Sequence, residues 1–400
     1  MAEKENAVMK EKRKKEGNVP NLRFKDFEGK WEKKKLGSIA QFSKGKGISK
    51  NDIVENGTTE CVRYGELYTY YGAVIDEIKS RTNVDVKSLV LSEENDVIIP
   101  ASGETQIDIA TASCVLKSGV ALGGDLNIIK TPNNGVFLSQ YLNSKKKIEI
   151  ASLAQGISVV HLYSSQLALL QVSLPPLPEQ NKIATFLSII DERIQTQSKI
   201  IQQLETSMQG LREKLFKQKI RFKDDKGNKF PDWQVKKLGD CLDYIQPTNY
   251  LVSSTEYHNS YKTPVLTAGK TFILGYTNEN DGIFSENLPV IIFDDFTTAT
   301  QFVKFPFKAK SSAMKILVAK EDIDIKFVYD SMQIMKYEIG GHERHWISKF
   351  THLEICVPSL SEQFTISKFL STFDEKIETE KTLLQQYENQ KKFMLKNLFI

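Results

Sequence analysis

"LPEQNKIATFLSIIDERI" at 177–194 decides the fold, because it returns as "LSEQFTISKFLSTFDEKI" at 360–377. The match is longer than these quotations: 172–216 aligns with 355–399 without a gap. Pro175 meets Pro358, Glu179–Gln180 meets Glu362–Gln363, and Phe186–Leu187 meets Phe369–Leu370. Asp191–Glu192 meets Asp374–Glu375, and Leu215–Phe216 meets Leu398–Phe399. A shorter echo opens each half, "WEKKKLG" from Trp31 and "WQVKKLG" from Trp233. The chain reads as an arm followed by two rounds of variable region and long repeat, too few copies for a solenoid.

Apolar spacing makes the long repeat helical. Ile183, Ile190, Gln197, Leu204 and Leu211 recur every seventh residue, and so do Leu187, Ile194, Ile201, Met208 and Leu215. These are the a and d positions of a heptad. Pro178 suits a first helical turn, and Glu179 places negative charge at the positive end of the helix dipole. In the second copy Ser361 is the expected N-cap. Its seam runs through Ile366, Phe373, Tyr387 and Met394 and through Leu370, Ile377, Leu384 and Leu398, with Glu380 and Lys391 as charged interruptions. Each helix spans roughly 40 residues, or about 60 Å. A helix with one sticky seam needs a partner. A homodimeric zipper would supply one, but the chain carries its own near-copy. Two equivalent units that satisfy each other are related by a two-fold axis, so the expected arrangement is an antiparallel, intramolecular coiled coil.

The remaining sequence divides accordingly. A flexible arm spans 1–18, a first variable domain 19–174, the central helix 175–218, a second variable domain 219–357 and the C-terminal helix 358–400. Both variable domains read as mixed α/β. Short β-branched runs such as "DVIIP" (96–100), "LNIIK" (126–130), "LPVIIFDDF" (288–296) and "AMKILVA" (313–319) are punctuated by Gly, Asn, Ser and Thr. Outside their flanks the two domains do not resemble each other, so similar frames present dissimilar inserts.

Composition narrows the function. Across 400 residues, 54 basic side chains face 50 acidic ones, for a net charge of +4. Any affinity for a polyanion must come from local patches. The four cysteines, Cys61, Cys114, Cys241 and Cys356, lack metal-ligand spacing and are expected to be buried, reduced thiols of a cytoplasmic protein. No run approaches a membrane span, and the N-terminus lacks the apolar segment of a secretory signal.

No catalytic constellation emerges. "AGKT" at 268–271 has Pro264 where a phosphate loop needs glycine, and "KGKGISK" has Lys50 where a dinucleotide loop needs its third glycine. "GHERHW" offers only His342 and His345 about Glu343, weak for zinc. An Asp/Asn-Pro-Pro-Tyr/Phe aminomethyltransferase signature is missing. What remains is a set of polar loops suited to duplex DNA. In the first domain these carry Lys44, Lys46, Arg63, Tyr64, Ser102, Thr105 and Gln106. In the second they carry Lys270, Thr271, Thr297, Thr298, Thr300, Gln301, Lys304, Lys310 and Arg344. Arg and Gln can bond base edges in pairs, while Lys, Ser and Thr reach phosphates. For any single residue an ordinary solvated loop is the simpler reading.

The repeated "W…KKLG", the Pro-x-Leu-x-Glu-Gln start of each long helix and the Leu-Phe tails resemble the specificity (S) subunit of type I DNA restriction–modification systems. The resemblance covers nearly everything after the arm. It implies two target-recognition domains held apart by an antiparallel helical spacer, each reading one half of a split DNA sequence. It implies assembly with two methyltransferase subunits, which hold S-adenosylmethionine and methylate adenine N6, and with restriction subunits that supply motor and nuclease. This chain would be non-catalytic. The alternatives are a coiled-coil scaffold whose variable domains bind proteins, and a self-sufficient methyltransferase. The remaining apolar helix residues Phe186, Phe369, Leu383 and Leu395 are expected either to dock partner subunits or to pack on the recognition domains.

Overall fold

Heptad seams demand a second helix, and the computed structural model supplies it from within the chain. It describes residues 17–156, 158–267, 269, 271–335, 337 and 345–400. The N-terminal arm therefore lies almost wholly outside the described residues, as do Lys270, His342, Glu343 and Arg344. The central helix is Leu177–Phe216 and the C-terminal helix Leu360–Leu398. The fold is mixed α/β, with two globular domains and two long antiparallel helices. Contacts divide it into two units: the chain up to Gln197 with Leu383–Ile400, and Ser198–Thr382.

In the first unit, the head of the central helix lies with the tail of the C-terminal one. Ile183 and Leu187 share a core with Leu398 and Phe399, and Asp191 pairs with Lys391 at 2.5 Å. Lys391, a break in the seam on sequence, is thus a matched charge. In the second unit the roles reverse: Met208 and Leu215 share a core with Ile366, Leu370 and Ile377. Lys381 meets Glu205 at 2.9 Å and Arg212 meets Asp374 at 3.5 Å. As the central helix advances from Glu205 to Arg212 its partner retreats from Lys381 to Asp374, so the pair is antiparallel. The C-terminal helix starts at Leu360, one residue before the expected cap. The Glu362 and Gln363 amides bond the Ser359 carbonyl, and Ser361 sits exposed in the first turn.

The repeated motifs meet in space. Strand Glu32–Lys35 pairs antiparallel with Gln171–Leu174, which leads into the central helix, and Gln234–Lys237 pairs with Glu354–Val357 before the C-terminal helix. The glycine ending each "KKLG" stands at a close approach. A Cβ on Gly37 would lie 2.9 Å from Cβ of Ala168, and one on Gly239 would lie 3.0 Å from the Thr351 carbonyl oxygen.

Each Glu-Gln pair then locks its helix head to its domain. Glu179 is fully buried and receives both Arg23 Nε (2.8 Å) and Nη2 (2.7 Å), with the Trp31 indole N–H at 3.4 Å. In the second unit Glu362 receives Arg221 Nε (3.2 Å) and Nη2 (2.8 Å) and the Trp233 indole at 3.1 Å. That bond to Glu362 is the main reason the Arg221 pKa is raised. The glutamines do parallel work. Gln180 donates to Pro175 O and accepts the Asn134 amide, while Gln363 donates to Pro358 O and accepts the Asp324 amide. Asn134 and Asp324 are themselves N-caps, of Gly135–Tyr141 and Ile325–Met332. Three residues on, Phe137 and Phe327 pack against Trp31 and Trp233, and each touches a helix tail, Phe399 and Phe216 respectively. One frame is thus built twice.

Inside the frames the sheets differ. The first unit holds a five-stranded sheet ordered Gln41–Lys44, Leu126–Lys130, Asp96–Pro100, Ser113–Val115 and Val74–Ile75, with a three-stranded sheet of Ser80–Thr82, Thr59–Val62 and Ala121–Leu122. The second holds a four-stranded sheet of Leu242–Ile245, Met314–Ala319, Val290–Asp294 and Thr300–Val303, and a three-stranded one of Ile273–Thr277, Thr263–Leu266 and Lys308–Ala309. All four β-branched runs singled out from sequence are core strands. Of the cysteines, Cys61, Cys114 and Cys241 are buried, but Cys356 is exposed, correcting the expectation. It lies on a two-stranded sheet opposite Val235, which is also exposed. Phe186 packs on Phe24, Phe369 on Phe222, and Leu395 on the first core, so these three serve packing. Among the described residues no helix is long and apolar enough to cross a membrane, and no cluster of three His, Cys, Asp or Glu side chains could hold a metal ion.

Candidate nucleic-acid interface

In the first unit, strand register gathers most of the expected residues at one sheet end. Lys44 pairs with Asn127, and Leu126 with Pro100, so the loops after Lys44 and Pro100 emerge together beside 122–125. Val62 pairs with Leu122, which brings Arg63 and Tyr64 to the same place. The packing there is backbone on backbone. The Gly45 amide bonds Leu126 O, the Lys46 amide bonds Leu122 O, and a Cβ on Gly45 would fall 1.9 Å from the Gly123 carbonyl oxygen. Glycine at 45 is a steric necessity of this loop.

The side chains at this end divide by role. Lys44, Lys46 and Gln106 are exposed. Arg63 is engaged by Glu66 at 3.1 Å, and the buried Glu66 also accepts the Arg63 amide and the Ser80 hydroxyl, so this arginine braces its own loop. Tyr64 is half-buried against the core of Val62 and Leu67. Ser102 is buried in a short strand paired with Val160–His161. Thr105 caps the turn Gln106–Ile109 and bonds Asp108 at 2.6 Å. Glu104 and Asp125 are exposed between these loops, which makes the end mixed in charge. Two aromatic residues that sequence reading passed over also stand here: His161, and Tyr163, whose ring lies 6.0 Å from Lys44 Nζ. Only the adjacent "VHLY" alternation hinted at them.

The second unit spreads its expected residues over three places. Thr297 and Thr298 form the turn joining Val290–Asp294 to Thr300–Val303. Asp294 bonds the Phe296 and Thr297 amides, and Thr298 has a positive φ of 59°. The Asp295 amide bonds Ala313 O, which links this turn to the segment that follows Lys310. Lys310 follows the strand Lys308–Ala309 and lies 5.8 Å from the Tyr257 ring. Its amide bonds Leu266 O, beside the hairpin where the Thr267 hydroxyl donates to Thr271 O at 2.6 Å. Thr300 is half-buried and accepts from Gln333 at 2.9 Å. Gln301 and Lys304 point elsewhere: they line a cavity of about 650 Å³ against the two helices. Glu205, Asp374, Glu375 and Glu378 also line it, together with Arg212 and Lys381, so its charge is mixed and largely paired within the cavity.

A buried charge network stands behind this cavity. Asp330 is fully buried, 2.6 Å from Lys326 and 2.9 Å from Arg212, and Lys326 also reaches Asp374 at 2.7 Å. Burial pushes the Asp330 carboxyl above its ordinary range, against the pull of its two cations. At the matching position of the first unit, Gln140 donates to Asp191 at 3.1 Å instead.

Comparison with known proteins gives a consistent picture. The family described as "Type I restriction modification DNA specificity domain" matches residues 28–206 and 231–389. The specificity subunit of the type I restriction enzymes EcoR124I/EcoR124II from Escherichia coli is 48% identical over 148 residues, 34% of this chain and 37% of that relative. The chain therefore spans little more than a third of that relative's length. The type I restriction enzyme MjaVIII specificity subunit of Methanocaldococcus jannaschii is 24% identical over 408 residues, 92% of this chain and 93% of the relative. Among solved structures, the type I restriction–modification S subunit from M. genitalium superposes with a TM-score of 0.68 at 18% identity, covering 96% of this chain and 99% of its own; the likeness is one of fold.

Proposed function

Since the chain belongs to the type I restriction–modification DNA specificity family, we propose that it is the DNA-reading, non-catalytic subunit of a larger complex, each unit reading one half of a split duplex target. One observation carries this reading: the same paired strand, clasp and helix head enclose two domains whose sheets and edge loops differ. A frame built twice around unlike loops is suited to holding two specificities in a fixed relation.

Lysines at the sheet ends, Lys44, Lys46 and Lys310, contact phosphates and set register, while neighbouring polar and aromatic side chains discriminate bases. The two long helices set the length of the unread gap between half-sites. Modules entering the major groove on the same face of DNA do so about one turn, roughly 34 Å, apart. Two methyltransferase subunits holding S-adenosylmethionine join the chain and methylate adenine N6, which requires flipping that base from the duplex. Restriction subunits carrying motor and nuclease join to cleave unmodified DNA. Exposed apolar residues on the helices, among them Ile189 and Phe393 in one unit and Ile200 and Phe364 in the other, are docking points for these partners.

Mapping methylated adenines genome-wide in a host with and without this gene tests the proposal. A two-part motif present only with the gene is the expected result, and an unchanged methylation pattern overturns it. Binding of the assembled complex to DNA should also fall steeply with added salt. A protein scaffold would bind no DNA at any salt.

A further inference from the structure

We propose that Lys44, His161 and Tyr163 form the base-reading surface of the first unit, with the two rings specifying one base step and Lys44 anchoring the adjacent phosphate. This rests on the DNA-reading function above and deepens it.

The three residues come from distant segments joined by one buried side chain. Asn127 is fully buried, pairs with Lys44 across the sheet, and donates its amide to Leu162 O at 2.9 Å. Leu162 is fully buried and its own amide bonds Ala101 O. With Leu162 pinned inward, alternation turns His161 and Tyr163 outward. Both are exposed, with ring centroids 6.5 Å apart and planes 27° from parallel. The backbone beneath is held on both sides. His161 exchanges two hydrogen bonds with Gln155, and the Tyr163 amide donates to the Gln166 side chain at 3.0 Å.

Neither ring belongs to the core that holds Val160 and Leu162 beneath it. Rings of this kind present a large rigid face at low cost in conformational entropy, and the phenol and imidazole add directional hydrogen bonds. Against duplex DNA, such groups meet base edges and the thymine methyl, while an extended lysine beside them meets phosphate. The exposed acidic neighbours Glu104 and Asp125 disfavour broad, non-specific phosphate binding at this end, which leaves a local and selective contact.

The test uses the assembled complex with its methyltransferase subunits, a library of duplex targets, and the variants Tyr163→Ala, His161→Ala and Lys44→Ala. Tyr163→Phe and His161→Gln serve as milder changes, and thermal midpoints check the fold. Each alanine ring variant should reduce discrimination at one or two adjacent positions of a single half-site, on the order of tenfold, and leave the other half-site unchanged. Lys44→Ala should weaken binding evenly across sequences and lower the salt slope by about 1. Folded ring variants that keep the wild-type motif overturn this inference alone. A wild-type complex without any sequence preference overturns it together with the DNA-reading function.

Discussion

Glu179 shows how much a single repeated letter can conceal. On sequence it is a charge at a helix start; in the fold it is a buried acceptor for Arg23 and Trp31. Glu179→Ala would leave Arg23 buried and uncompensated, at a cost of about 3–5 kcal/mol. Replacing both Glu179 and Arg23 by alanine should cost less than the sum of the two single changes, and urea unfolding of the wild type, the two single variants and the double variant measures this. The arginine half of the clasp was hidden because "RFKD" stands at different distances from each tryptophan. The second copy holds an extra turn, where Asp224 bonds the Asn228 amide. A second carboxylate makes a pH prediction. Glu279 is held below its ordinary range chiefly by its bond to Lys308, and it also accepts the Ser253 and Ser254 amides. A lowered folded pKa means the stabilisation is full above the unfolded value and is lost as pH falls through the folded one. The thermal midpoint gap between wild type and Glu279→Gln should be open at pH 7 and close in strongly acidic buffer. An unchanged gap would contradict the pairing. Loop residues were the least legible. Arg63 and Glu66 meet within one turn, three residues apart, but nothing local says that Tyr163 stands beside Lys44, because long-range strand register decides it.

At the scale of elements, the helices were legible nearly to their ends, since a heptad seam declares its own period over many turns. Buried Leu187, Ile201, Met208 and Leu215 of the central helix and Ile366, Leu370 and Ile377 of the C-terminal helix fall on the expected seam. What the pattern could not state is the function of the Leu-Phe tails. Phe399 closes on Phe137 and Tyr141 at 5.2 and 5.8 Å, while the Lys145 ammonium caps the helix end at Lys396 O. Phe399→Ala should therefore destabilise the first unit by about 3–5 kcal/mol and leave the second untouched. Hydrogen exchange resolved by segment would reveal this as faster exchange in 126–142, with 290–319 unchanged. Equal loosening of both would count against the assignment. The strands were legible as elements but not as sheets: "DVIIP" and "LNIIK" announce burial, and only the fold makes them antiparallel neighbours.

For the whole molecule, the duplication announced two domains and one frame, and the inserts announced difference without content. Adding one heptad to each long helix, at matched positions, should lengthen the unread gap while leaving both half-sites as they were; methylation mapping of the variant reads this directly, and an unaltered gap would refute a spacing role. The first unit has a further property: it is not one continuous stretch of chain, since 383–400 completes what the residues up to Gln197 begin. During synthesis at about 5–20 residues per second, all of 198–382 must leave the ribosome before that missing strip appears. For about ten to forty seconds the earlier-made half waits with Phe137 and Tyr141 uncovered, so chaperones should bind the nascent first half longer than the second.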